Sequence, residues 1–379
     1  MLVKAVVVDW ARSPFHRAHK GSLMGQRPDD LVAHVIRGLI SRNEIAPSDF
    51  DDILMGCGYP EAEQGYNIGR LAPMLAGFPD SVPGVTINRL CGSSMQAVLS
   101  AAANIESGWG DCYVCAGVES MSRVKRRGFN WAPHPGLELD WPEAYVTMGQ
   151  TAENIAEKWD ITRADQEIFA LNSHHKARIA QDSGGFDNEI ITVVDDQENI
   201  SSDGCIRGDT TLEAMAALKP VFSSDGTVTA ATSSPLTDGA VAMIVCSEEF
   251  AARRGLNSMA TITGGAVTGC PPGIMGIGPV EATKMLLTRV GWDIESVDLF
   301  ELNEAFSSQS LAVISDLALD TKKVNIDGGA IAIGHPLGAS GARITGKAAS
   351  LLVRTNNKRA IATMCIGGGM GIAIALERN

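Results

Sequence analysis

The chain has 379 residues, with 31 lysines and arginines against 44 aspartates and glutamates, a formal charge of −13. That balance argues against a sequence-independent nucleic-acid binder or a binder of anionic membranes, since both require a cationic face. Apolar residues make up 45% of the chain, ordinary for a globular protein, and the length exceeds what one core usually holds, so two or three packed units are expected. No run of about 18 uncharged apolar residues occurs, so no transmembrane helix is expected.

The first apolar run, Ala5-Val6-Val7-Val8, stops at Asp9 and Arg12. It is too short for a secretory signal and reads as a first strand. Val82 to Asn88 is rich in β-branched residues and bounded by proline, which predicts a buried strand. Ser93 to Ile105 holds good helix formers and no internal proline or glycine, which predicts a helix. Cys91 lies where the two meet, in Asn88-Arg89-Leu90-Cys91-Gly92-Ser93-Ser94. Such an elbow sets a sulfur near unpaired N–H groups and the positive end of a helix dipole, both of which favour a thiolate and predict a lowered pKa. The alternative is a small core residue, the commoner fate of a free cysteine.

Cys112 and Cys115 form a C-x-x-C, but within the apolar run Tyr113-Val114-Cys115-Ala116, where residues three apart point to opposite faces. No second pair accompanies them, so neither a metal nor a redox site is expected there. Eight cysteines without regular spacing suggest a reducing compartment and a cytoplasmic protein. The basic run Arg123, Lys125, Arg126, Arg127 suits either phosphate attraction or a solvated patch. His34, His174 and His175 fall in helical stretches as structural or exposed residues.

Residues 121–236 are richer in charge and turns and lack the β-rich rhythm on either side. Val241 to Cys246 then reads as a strand. In the last third, Asn303-Glu304-Ala305-Phe306 follows an apolar stretch, a glycine-rich segment from 328 to 341 encloses His335, and Cys365-Ile366-Gly367-Gly368-Gly369-Met370-Gly371 joins two β-rich runs at 359–365 and 370–377. A faint duplication is visible. A strand, the Cys91 elbow, a helix and a strand at 112–117 are echoed by a strand at 324–327, the His335 loop, a helix starting at Ser340/Gly341 and a strand at 359–365. Alternating strands and helices in repeated order predict an α/β fold of two similar halves.

Four blocks, N-R-L-C-G-S-S at 88–94, N-E-A-F at 303–306, G-G-A-I-A-I-G-H-P-L-G-A-S-G-A-R beginning at Gly328 and C-I-G-G-G-M-G at 365–371, resemble those of the thiolase family, and the degradative 3-ketoacyl-CoA thiolases most. Four motifs in order make a chance match remote, and the similarity extends over the chain. The resemblance implies a thiolase-like fold: two βαβαβαββ halves in a layered αβαβα arrangement plus a loop domain covering the CoA site. The halves would be 1–120 with 237–258 and 259–379, and the loop domain 121–236.

The resemblance also implies roles. Cys91 would be the nucleophile that carries the acyl group. His335, with a pKa near the ordinary 6.5, would take its proton. Cys365 would protonate the departing enolate and later deprotonate CoA. Asn303 would hold a water that forms one oxyanion site with His335, and the N–H groups of Cys91 and Gly367 the other. Ser234, Met148 and Phe306 fall at positions lining the pantetheine and acyl tunnel. Thr147 departs from short-chain acetoacetyl-CoA thiolases, which often carry histidine there, and leans toward broader or longer acyl chains. Asn303 and Cys365 together favour non-decarboxylating chemistry over a ketoacyl synthase; the plainer alternatives are a helix cap for Asn303 and strand-end packing for Cys365. Implied partners are acyl-CoA and CoA, as substrates rather than cofactors, a homodimer or homotetramer, and a hydratase–dehydrogenase subunit. No metal is implied. The remaining classes are a biosynthetic acetoacetyl-CoA thiolase, a decarboxylating condensing enzyme and a silent thiolase-fold binding subunit.

Overall fold

The apolar runs around Tyr113–Ala116 and Val241–Cys246 become strands buried along their whole length, which is why they read as continuous hydrophobic stretches rather than alternating ones. The structure, a computed structural model, describes residues 3–194 and 199–378. In the first half, β1 (Ala5–Arg12) leads through α1 (Pro28–Asn43) to β2 (Asp52–Gly56) and the short β3 (Val85–Ile87). The chain continues through α2 (Ser93–Glu106) to β4 (Cys112–Ser120) and, after the excursion, β5 (Thr237–Ser247). The second half runs β6 (Ala260–Gly269), α5 (Gly278–Val290), β7 (Leu299–Leu302), α6 (Ser307–Asp316), α7 (Leu337–Thr355), β8 (Arg359–Ile366) and β9 (Met370–Glu377). Helices α3 (Met148–Lys158) and α4 (Arg163–Asp182) belong to the excursion.

Strand pairing exposes the duplication. In the first half β2 and β4 are parallel, β4 and β5 antiparallel, and β5 and β1 antiparallel. In the second, β7–β8, β8–β9 and β9–β6 repeat that series in the same senses. The two sheets are joined edge to edge by a seam of two residue pairs, Val6 with Thr261 and Val7 with Ala260, giving one hydrogen-bonded order β7-β8-β9-β6-β1-β5-β4-β2-β3. Helices α2 and α7 lie between the halves. The largest core joins Met95, Val98 and Ala101 of α2 and Ala342, Ile344 and Leu352 of α7 to strand residues of both sheets. Separate cores sit outside, under α1 for the first sheet and under α5 and α6 for the second. The layers are therefore helix, sheet, paired helices, sheet, helix.

Several expectations need correction. The strand expected at Val82–Asn88 is reduced to Val85–Ile87, an edge strand with Val85 exposed. The strand expected at 324–327 is a single parallel bridge, Val324 with Phe300, because Asn325 turns into the left-handed region at φ 46°. Helix α7 begins at Leu337, not Ser340. Cys112 and Cys115 do face opposite sides of β4: Cys112 enters the outer core and Cys115 the central one. The excursion is anchored by buried charges. Arg12 pairs with Asp203 at 2.6 Å and Glu189 at 2.8 Å, and Lys347 of α7 reaches Glu189 at 2.7 Å. Among the described residues no helix is long and apolar enough to cross a membrane.

Candidate active site

Three local structures bring the motif residues together. The first is the Cys91 elbow. Leu90 is held at φ 45°, a conformation unfavourable for a leucine and stabilised here by its surroundings. Its N–H donates to Asn88 Oδ1 at 2.8 Å. Ser93 closes the turn: its hydroxyl donates to the Leu90 carbonyl at 2.6 Å and accepts the Arg89 N–H at 3.0 Å. Cys91 is thus presented at the start of α2, half-buried and open to a cavity.

The second is the His335 loop. Gly334, at φ 113°, makes a turn that a side chain would strain, and a Cβ there would meet Thr237 at 2.7 Å. The His335 N–H donates to Thr237 Oγ1 at 3.0 Å, which ties the loop to β5 of the other half. The helix that follows crosses α2 closely. Gly341 leaves no room for a Cβ, which would lie 2.4 Å from the Met95 nitrogen, and the Ala342 N–H donates to Ser94 Oγ at 2.9 Å. This close crossing brings the two helix starts, with Cys91 and His335, onto one cavity.

Ser340 fixes the imidazole. Its hydroxyl donates to the Pro336 carbonyl at 3.0 Å, so it accepts from His335 Nδ1–H at 2.6 Å. The proton therefore sits on Nδ1 and Nε2 keeps its lone pair. Asn303 Nδ2 lies 3.4 Å from that Nε2. Asn303 does not cap a helix, since α6 starts at Ser307 with Phe306 as its N-cap. Its Oδ1 is buried without a partner among the described residues, which suits a bound water better than a packing role. Asn303 stands behind His335 rather than on the cavity wall.

The third is the hairpin between β8 and β9, where Ile366 pairs with Met370 across three glycines. It places Cys365 at the strand end and aims the Gly367 N–H at the Cys91 sulfur. The cavity, of about 320 Å³, is lined by Cys91, His335, Cys365 and Gly367, and also by Met148, Phe306 and Ser234. Met148 begins α3, which Thr147 caps by accepting the Gln150 N–H at 3.4 Å. Met148 packs with Phe306 and Cys365 in one small apolar cluster. The Ser234 hydroxyl donates to the Ala305 carbonyl at 3.0 Å, which leaves its lone pairs to accept from a ligand.

Electrostatics correct the elbow argument. Desolvation at the cavity floor pushes the Cys91 thiol up to about 11, against the lowering effect of the Gly367 and Cys91 N–H groups. Buried Glu119, whose oxygens accept from Gly58, Tyr59 and Gly338 N–H groups, adds to the rise. Burial drives His335 down to about 3, not near 6.5. Burial also pushes Cys365 well above the usual thiol range, helped by the Cys91 and Cys270 sulfurs. At neutral pH the resting pair is a thiol and a neutral imidazole whose unprotonated Nε2 accepts from Asn303 Nδ2. Ser93, Ser340 and Glu119 were not singled out from the sequence as site residues. Their local signal is weak, because only the tertiary structure shows what a serine or glutamate holds.

Residues 5–249 match the thiolase N-terminal domain and residues 256–378 the thiolase C-terminal domain. A 3-ketoacyl-CoA thiolase of Aliivibrio fischeri is 46% identical over 98% of this chain and 99% of its own length. A 3-ketoacyl-CoA thiolase of Bacillus subtilis is 42% identical over 99% of both. The crystal structure of the Bacillus anthracis acetyl-CoA acetyltransferase superposes with a TM-score of 0.91 at 38% identity, covering 99% of both chains.

Proposed function

Because this chain belongs to the thiolase family and is an acyltransferase, we propose that it cleaves 3-ketoacyl-CoA with CoA, in fatty-acid β-oxidation, to acetyl-CoA and a shortened acyl-CoA. The observation that carries this reading is the sharing of one cavity by two cysteines and a histidine whose Nε2 is unprotonated. Cys91 Sγ attacks the C3 carbonyl as its proton passes to His335 Nε2. With the resting pair neutral, this transfer accompanies attack, so that charge collects on the carbonyl oxygen rather than on sulfur. The oxygen is held by the Cys91 and Gly367 N–H groups, which sit at the attacking sulfur, while the thioester oxygen of the leaving part takes the new Nε2–H and a water on Asn303. The C2–C3 bond breaks, and Cys365 gives its proton to C2 of the acetyl-CoA enolate. The Cys365 thiolate then takes the proton of incoming CoA, whose sulfur attacks the acyl-Cys91 thioester. Cys91 leaves and recovers its proton from His335, which restores both groups.

Met148, Phe306 and Ser234 are the proposed walls for pantetheine, with coenzyme A a substrate and no cofactor or metal assigned. A second cavity of about 680 Å³ shares Ser234, Pro235 and Leu236 with the first and is bordered by Arg17, Lys20 and Arg207. Those cations suit the CoA phosphates. The division into halves 1–120 with 237–258 and 259–379 around a loop domain 121–236 is part of the same reading, as is a cytoplasmic location.

A homodimer or homotetramer is also proposed. Edge strand β3 presents an exposed Val85, and the residue pair beside it, Tyr66 and Asn67, is held at positive φ with Tyr66 91% exposed. An unpaired edge with an exposed aromatic is a self-association surface. Sedimentation equilibrium should return at least twice the 40.0 kDa chain mass; the monomer mass would overturn the proposal. A hydratase–dehydrogenase subunit remains a proposed further partner.

The second reading is condensation of two acetyl-CoA, favoured by the structural match to an acetyl-CoA acetyltransferase. Thr147, on the cavity wall where a short-chain enzyme often has histidine, supports the degradative role instead. Thiolysis rates measured on 3-ketoacyl-CoAs from four to sixteen carbons should peak above four carbons. Activity confined to the four-carbon substrate would give the role to the second reading.

A further inference from the structure

Glu119, next to last in β4, is fully buried, and among the described residues no cation pairs with it. An unpaired interior charge is costly unless hydrogen bonds replace its water. Four N–H groups do so. Oε2 accepts from Gly58 N–H at 2.8 Å and from Gly338 N–H at 2.9 Å. Oε1 accepts from Gln64 Nε2 at 2.7 Å and from Tyr59 N–H at 3.2 Å. Each oxygen thus accepts twice, which leaves no lone pair for a proton and fits the ionised form. Burial raises the pKa of this carboxyl and these bonds lower it. Its donors come from both halves. Gly58 and Tyr59 follow β2, whereas Gly338 stands in the first turn of α7, just beyond His335, where the carboxylate meets the positive end of the helix.

Around the carboxylate the packing is backbone on backbone. A Cβ on Gly338 would lie 2.5 Å from the Val118 carbonyl oxygen, and one on Gly117 would lie 2.3 Å from the Gly338 carbonyl oxygen. A Cβ on Gly58 would come within 2.7 Å of Glu119 Oε2 itself. The start of α7 is therefore seated directly on the end of β4, and Glu119 ties that seat to the Gly58–Tyr59 turn. Tyr59 and Leu337, on either side of the tie, both face the cavity that holds Cys91 and His335. The arrangement selects a carboxylate. Gln64 cannot turn its amide over, because its Oε1 accepts the Ser120 N–H at 2.6 Å and its Nε2 also donates to the Tyr59 carbonyl at 2.9 Å. An amide at position 119 would set its NH2 against two donors in either orientation and leave them unpaired.

We propose that Glu119 is a positioning residue for thiolysis: its carboxylate joins the start of α7, and with it His335, to the Gly58–Tyr59 turn, and so holds the base in place against Cys91. The inference deepens the thiolase reading and rests on it. Thiolysis of 3-oxohexanoyl-CoA by the full-length enzyme is to be measured for the wild type, Glu119→Gln, His335→Ala and the double variant. Glu119→Gln should lower kcat by on the order of 10²-fold, the scale of a reacting group displaced by about 1 Å. KM for CoA should change by less than about 2-fold, because the lost interaction is not a substrate contact. Because Glu119 acts through His335, the same substitution should cost no more than about 2-fold once His335 is alanine. Gln64→Met, which takes one donor from the carboxylate and leaves its charge, should show the same split and the same non-additivity at on the order of 10-fold; it carries the test if Glu119→Gln does not fold. Wild-type kcat in both Glu119→Gln and Gln64→Met overturns the proposal. So does a loss that multiplies in full with that of His335→Ala, which would make Glu119 a support of the fold at large, or a loss confined to KM for CoA. Absence of thiolysis in the wild type, or full activity in His335→Ala, would instead overturn the thiolase reading beneath it.

Discussion

Cys91→Ala should lower thiolysis by on the order of 10⁴ or more, the scale of losing a nucleophile, while leaving the fold intact. No other described group at the cavity floor combines a sulfur with two N–H donors. In the wild type, stoichiometric iodoacetamide should label Cys91 first and stop turnover, and an acyl-CoA should protect it. Burial pushes every other cysteine up as well: Cys205 and Cys246 to about 12, and Cys57, Cys112, Cys115 and Cys365 far above the ordinary range. Cys270 matches Cys91 at about 11 but has no donor group lowering it. The sign of the pH dependence follows from the raised value. Cys91 is a thiol at pH 7, so its alkylation should accelerate steadily from pH 6 to 10. A rate that is flat over that window would mean a stable thiolate–imidazolium pair and overturn the neutral resting state. His335, pushed down to about 3, should contribute no break in that profile near pH 6.5. Labelling elsewhere in inactivated enzyme, with Cys91 unmodified, would overturn the nucleophile assignment.

Cys365→Ala separates a thiolase from a decarboxylating synthase. Both would form an acyl-Cys91 thioester, so trapping that intermediate does not discriminate. Only a thiolase removes an α-proton from acetyl-CoA itself. Wild-type enzyme acylated on Cys91 should therefore exchange the acetyl-CoA methyl protons with solvent deuterium. Cys365→Ala should lose that exchange and on the order of 10²–10⁴ in turnover, typical of a lost acid–base group. Cys91 should still react with iodoacetamide, because the elbow and the Gly367 N–H remain. Exchange that survives in Cys365→Ala would assign the base elsewhere. A wild type without exchange or thiolysis that condenses malonyl thioesters would return the protein to the synthases.

Much of this protein is determined locally and so is legible in the chain. The strands at 5–12, 112–120, 237–247, 359–366 and 370–377 and the helix after Cys91 follow from runs long and apolar enough to admit one reading. The Cys91, His335 and Cys365 motifs sit at element junctions, where glycine, proline and serine fix the backbone whatever surrounds it. The weak edge pieces were not legible: Val82–Asn88 and 324–327 look like full strands, but pairing on one side sustains only three residues of one and a single bridge of the other. The protonation states were also beyond the sequence. An elbow's N–H groups and helix dipole act over one turn and predict a thiolate, whereas desolvation depends on everything packed around the sulfur, and only the tertiary structure supplies that. For the same reason Ser340 reads as a helix residue until its hydroxyl is seen committed to Pro336, which leaves His335 Nε2 without a proton. The sequence by itself determined which groups can react; the packing of α2 against α7 decided that they share one cavity, and how buried, hence how charged, each of them is.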